Sequence, residues 1–170
     1  MLTTNPHDQS DKTKAWAFCE NGSAAAIAKG LLCAWDLTDY TGQAIAANTR
    51  GYRVAIFQDT QAASDTPVMA GVADKLIPAN PAPNSNRNPP SLIQIYGFRD
   101  DLQAFAPAAS TIEAGSAIRP SSDAGSGDGR FMGATDAGTT AADALYSCGF
   151  SYVVIADATV VVFQGQLRLM

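Results

Sequence analysis

The sequence predicts a mainly β fold of small sandwich- or barrel-like lobes, with a C-terminal β-hairpin and little helix. Three observations carry this. Segments rich in β-branched and aromatic residues are short and lie between turn signals, as in Tyr52-Arg53-Val54-Ala55-Ile56-Phe57. Glycine and proline punctuate the chain throughout, with 14 and 9 copies among 170 residues. The C-terminus holds two apolar runs, Phe150 to Ile155 and Thr159 to Leu169, separated by Ala156-Asp157-Ala158, a spacing that suits a hairpin.

Taken in order, residues 1–14 are polar, offer little to bury and predict a flexible N-terminal arm. Asn21-Gly22-Ser23 is a turn signal. Ala24 to Trp35 reads two ways: its alanines allow a helical turn, whereas Gly30 and Cys33-Ala34-Trp35 favour a strand. Tyr52 to Phe57 is a strand, and Pro67 to Ala73 a short one. Residues 77–90 contain Pro78, Pro81, Pro83, Pro89 and Pro90 with Asn80, Asn84, Asn86 and Asn88. Proline lacks an amide donor and clashes with a preceding helical turn, so this stretch is an extended connector. Ser91 to Gly97, Leu102 to Ala106 and Ser116 to Pro120 follow as short strands. Thr139 to Cys148 has the alanines and leucine of a short helix. In the last run Val161, Phe163, Leu167 and Leu169 share one face, and Val160, Val162, Gln164, Gln166 and Arg168 the other. The expected organisation is an arm over 1–14, a first β lobe over 15–77, a Pro/Asn-rich connector over 78–90, and a second β lobe with the hairpin over 91–170.

The second half also restates the first. Ala28-Lys29-Gly30-Leu31-Leu32-Cys33-Ala34-Trp35-Asp36 leads through a turn to Pro67-Val68-Met69-Ala70-Gly71-Val72-Ala73. Glu113-Ala114-Gly115-Ser116-Ala117-Ile118-Arg119-Pro120 leads through a glycine loop to Gly129-Arg130-Phe131-Met132-Gly133-Ala134. Each copy is a glycine lead-in, a short apolar segment, a polar turn and an apolar return.

Composition limits function. Apolar residues make up 46% and charged ones 16%, enough for a core and fewer charges than an average soluble chain carries. Low charge fits a homo-oligomer or a docking face, and it fits an Ala- and Gly-rich monomer too. A net charge of −5 gives no basic field for nucleic-acid phosphates. The polar start is no secretory signal, and no apolar stretch reaches the roughly 18 residues of a membrane span, so assembly in the cytoplasm is expected.

Chemistry-bearing constellations are sparse. His7 is the single histidine and falls in the arm, which leaves no Ser-His-Asp or Cys-His arrangement. Cys19, Cys33 and Cys148 lack the close spacing of a zinc site and read as buried reduced thiols, although one bridge between two of them stays open. The loop from Ser121 to Arg130 is glycine-rich, but no Lys-Ser or Lys-Thr follows, and Asp123 and Asp128 lack the pattern of a calcium loop. It reads as a mobile turn in which glycine supplies positive φ. Asp100 and Asp101 are adjacent and point to opposite sides of an extended strand. They read as a solvated loop with a local Arg99 contact. Glu20 and Glu113 are the only glutamates. Trp16, Trp35, Tyr40, Tyr52, Tyr96, Tyr146 and Tyr152 read as core and interface residues before sugar platforms. The sequence therefore assigns no catalytic, cofactor-binding or metal-ligating residue and no cofactor.

Ser91-Leu92-Ile93-Gln94-Ile95-Tyr96-Gly97, Ile112-Glu113-Ala114-Gly115-Ser116-Ala117-Ile118 and Gly129-Arg130-Phe131-Met132-Gly133-Ala134 together resemble the small β-rich capsid decoration (cement, head-stabilising) proteins of tailed bacteriophages. Val68-Met69-Ala70-Gly71-Val72-Ala73 fits the same style. The resemblance spans residues 28–170 and rests on spacing and character, so no family binding residue is carried over. It implies a non-enzymatic virion structural protein, made in the host cytoplasm and located on the capsid surface. Its partner would be the major capsid protein, and it would form a homo-oligomer (trimer or dimer) with no nucleic-acid or membrane partner. The alternatives are another phage head or tail structural protein, or a β-rich carbohydrate-binding module. An enzyme using Asp123, Asp128 or Cys148 is the remaining reading.

Overall fold

A computed structural model describes residues 14–22, 25–35, 53–58, 68–79, 90–106, 111–121, 127–133, 147–155 and 158–169. Nine strands run through them: β1 (Ala15–Asn21), β2 (Leu32–Trp35), β3 (Arg53–Ile56), β4 (Met69–Ala73), β5 (Ser91–Ala106), β6 (Ala117–Pro120), β7 (Phe131–Gly133), β8 (Gly149–Ser151) and β9 (Ala158–Arg168). No helix occurs among the described residues. The expected helix over Thr139 to Cys148 lies almost wholly outside them, as do His7, Asp123 and most of the Pro/Asn connector.

The strands form one hydrogen-bonded network in the order β1-β3-β2-β4-β5-β7-β6-β8-β9, with extra pairings β1–β5 and β5–β9. Those two extra pairings close it twice. The first five strands make one ring, and β5 through β9 make a second, so β5 belongs to both. Each ring is built the same way. Its first strand runs parallel to its third (Glu20 opposite Arg53; Ala104 opposite Phe131) and every other pair is antiparallel. Closure gives every strand of the described residues a neighbour on both sides over part of its length.

The repeat is exact in its local bonding. Leu31 N–H donates to Ala28 O at 3.3 Å and Ser116 N–H to Glu113 O at 3.0 Å, forming the same turn twice. Its glycines take the same left-handed conformation, Gly30 at φ 80° and Gly115 at φ 82°. A bridge from Ile27 to Ile77 closes the end of the first ring, and one from Ile112 to Ile155 closes the second. The two halves correspond differently from the sequence alignment, however. The lead-ins around Gly30 and Gly115 do match, but the counterpart of β4 is β8, and the Gly129 to Ala134 segment holds β7, the counterpart of β3. An insertion of different length between second and third strands shifts the register, and similar apolar returns then mispair by eye.

Alternation along β2 explains why so apolar a segment is a strand. Cys33 enters the first core, with Cys19, Val54, Ala70, Ala73 and Ile93. Leu32 and Ala34 point the other way and join the second core, with Val72, Leu102, Ile118, Phe131, Phe163 and Leu167. Both faces of β2 are buried, so it carries no polar alternation. Within the second core Phe131 meets Phe163 edge-on at 6.2 Å between ring centres.

Four expectations change at the level of elements. Ser91 to Gly97 and Leu102 to Ala106 are one 16-residue strand, with the register shifting between Arg99 and Leu102. Asp100 and Asp101 therefore sit in a strand, not a loop. The glycine segment is pinned where it is described: Leu32 N–H donates to Gly129 O at 2.7 Å and Gly129 N–H to Phe57 O at 2.8 Å. Gly129 has φ 68°, and a Cβ there would meet Ile56 and the Leu32 carbonyl, so this turn docks the second ring on the first. β1 was not expected as a strand. Its outward residues Trp16 and Phe18 are aromatic, so it lacks the polar alternation of a half-exposed strand. At the C-terminus β8 and β9 do pair antiparallel, but β8 ends at Ser151. From there the chain bends so that Ile155 can bridge Ile112.

Candidate interaction face

Where β5 leaves the first ring for the second, it carries a buried cation. Gly97 takes φ 109° and turns the strand just before Arg99. The Arg99 side chain is only 4% exposed. It donates two parallel bonds to Asp101, Nε to Oδ1 at 2.6 Å and Nη2 to Oδ2 at 2.7 Å. Further donation reaches the Ala73 carbonyl at 3.2 Å, Gln94 Oε1 at 3.4 Å and Asp74 Oδ1 at 3.5 Å. Gln94 is held in turn by bonds from Nε2 to the carbonyls of Tyr96 and Phe98 at 3.0 and 3.2 Å. Lys29, from the first-ring turn, adds its ammonium to Asp101 at 3.0 Å. Burial alone would raise the Asp101 pKa, but the bonds and charges of Arg99 and Lys29 outweigh it and hold the carboxyl below its ordinary value. Planar two-point pairing of this kind suits arginine and fixes orientation. The cluster ties β5 to β4 and to the Lys29–Gly30 turn.

Around this knot lies an open cleft of about 350 Å³, walled by Lys14, Lys29, Lys75, Leu76, Phe98 and Asp100 among others. A neighbouring cleft of about 260 Å³, between Pro90 and Leu92, shares Asp74, Lys75 and Leu76 with it. Beyond Leu92 the outer face of β1 continues the surface, since Phe18 lies opposite Leu92 and Trp16 opposite Gln94. Phe18 is 68% exposed, Leu76 62%, Trp16 43% and Leu92 39%. At the other end Phe98 packs on Tyr152 of the second ring at 5.8 Å. One apolar, aromatic face thus runs across the junction of the rings, interrupted by lysines.

The other residues singled out by sequence are placed apart from this face. Cys19, Cys33 and Cys148 are all free and buried. Burial pushes Cys19 up to about 12, and desolvation raises Cys33 and Cys148 as well. Thiolates are scarce at neutral pH under those conditions. Ellman's reagent is therefore expected to find no reactive thiol in the native protein and 3 per chain in denaturant; a native thiol reacting within minutes would contradict the burial. Asp128 accepts a bond from Gln58 Nε2 at 3.1 Å, within the docked turn. Trp35 packs against the first core. Among the described residues no group of three or more histidine, cysteine or acidic side chains is placed to hold a metal ion. The Arg99 cluster went unrecognised in the sequence beyond a local contact to the aspartates. Its signal was the Arg99-Asp100-Asp101 spacing, which on a strand puts Arg99 and Asp101 on one side.

No family model matches the chain, and no curated protein or solved structure matches it significantly.

Proposed function

We propose that this chain is a non-enzymatic virion structural protein that binds the outer surface of a capsid and stabilises contacts between capsomers. The observation that carries the reading is the exposed face of Trp16, Phe18, Leu76 and Leu92 on a molecule of two closed strand rings. Contiguous apolar side chains at a surface mark an interaction site. Contact through these side chains is the mode of binding proposed. The family resemblance of the sequence supports the same reading, and assembly as a trimer or dimer fits it, because symmetric closure repeats one such face without new chemistry. The test mixes the purified chain with expanded capsids assembled without it. Saturable binding and a raised capsid melting temperature are the expected results; absence of binding to every capsid state overturns the proposal.

One observation favours a carbohydrate-binding module as the second reading. Trp16 is exposed on an open sheet face, where an indole can stack on a sugar ring. Glycan binding abolished by Trp16→Ala, without capsid binding, would establish that reading in place of the first.

A further inference from the structure

Resting on the capsid-binding reading, we propose that the docking surface is the first-ring face of Phe18, Leu76 and Leu92 with its lysine-rimmed cleft, and that its occupant is a protein segment presenting an apolar side chain beside a carboxylate. Leu76 stands 62% exposed as the shared wall of two clefts, of about 350 and 260 Å³. Such spaces fit single side chains of a partner. The charge around the larger cleft is opposite in sign to that of the molecule. All three lysines of the described residues, Lys14, Lys29 and Lys75, line the larger cleft in a chain of net charge −5. With Arg99 they set four basic groups against three acidic ones, Asp74, Asp100 and Asp101, a formal excess of one positive charge. The rim is therefore locally positive, and it favours an anionic partner segment over a cationic one. Repeated architecture sharpens the point. The place of Leu76 recurs in the second ring as Val154, also exposed, but Asp74-Lys75 there becomes Tyr152-Val153. The two rings share a scaffold, and the first carries the charged version of this surface.

The inference separates from the broader reading in one experiment. Wild-type protein, Leu76→Asp, Lys75→Glu and Val162→Asp are each sedimented with capsids assembled without the chain, at low and high salt. Val162 is exposed on β9 and lines neither cleft, and serves as the control. Thermal unfolding verifies that each variant folds, with Leu76→Ser and Lys75→Gln as substitutes. Leu76→Asp and Lys75→Glu are expected to weaken binding by about tenfold or more, as loss of a central contact does, with Val162→Asp unchanged. Wild-type binding should weaken with salt, and Lys75→Glu should be less sensitive to it. Wild-type binding with unaltered affinity in both face variants, or loss confined to Val162→Asp, overturns this inference and leaves the capsid reading standing. Wild-type protein that binds no capsid overturns that reading, and the inference with it.

Discussion

Asp101→Ala will destabilise the chain by about 3–5 kcal/mol, the usual cost of removing one member of a buried ion pair. The alanine leaves the Arg99 guanidinium, 4% exposed, with one carbonyl, Gln94 and a more distant Asp74. Desolvating a charge without its counter-charge costs more than the pair contributes, so the reverse deletion, Arg99→Met, should cost less. It fills a similar volume and leaves Asp101 beside Lys29, whose own side chain is 58% exposed and therefore screened. Equilibrium unfolding in urea measures both. A loss below about 1 kcal/mol for Asp101→Ala, in the range of surface ion pairs, would show that the cluster contributes no more than they do. The same carboxyl makes stability acid-sensitive. Its folded pKa lies below the unfolded value, so its contribution is complete above the unfolded carboxylate value of about 3.9 and is lost as pH falls through the lower folded value. Below about pH 4 the wild-type urea midpoint should therefore fall more steeply than that of Asp101→Asn.

Gly30→Ala and Gly115→Ala place the same change at equivalent points of the two rings, and their costs should differ widely. Both glycines are left-handed, which charges an alanine about 1–2 kcal/mol. At Gly115 a Cβ meets nothing within 4 Å, so this is the whole effect. At Gly30 a Cβ runs into the backbone carbonyl oxygen of Asp101, in the strand that both rings share. That oxygen cannot move without disturbing the Arg99 cluster, and overpacking adds about 1–3 kcal/mol. A total of about 2–5 kcal/mol is expected for Gly30→Ala, read as a lowered urea midpoint. Equal midpoints for the two variants would mean that the turn can shift away from β5.

Mainly β architecture was legible because β3, β4, β6 and the C-terminal pair each carry a local signal: a short apolar run with branched or aromatic residues, bounded by turns. The repeat was legible only in part. Its lead-ins share a glycine that the left-handed turn demands, whereas its later strands share a role without sharing residues, as Met69–Ala73 and Gly149–Ser151 do. β5 resisted reading for a physical reason. Arg99, Asp100 and Asp101 look like solvent-facing polar loop, and only the partners Asp74, Gln94 and Lys29 around Arg99 and Asp101 let the strand continue with Arg99 buried. The candidate face was invisible for the opposite reason. Trp16, Phe18 and Leu92 are residues that a sequence assigns to the interior, and nothing local distinguishes an outward aromatic from an inward one.

The strand common to both rings has a mechanical consequence. Two domains joined by a linker or by packing pass force through a joint that can slip or peel. Here the covalent backbone of Ser91–Ala106 is a wall of each ring, so tension entering one lobe leaves by the other along a single chain, in shear against hydrogen-bonded neighbours on both sides. A molecule built this way would pass tension from one ring to the other as a tie rod does.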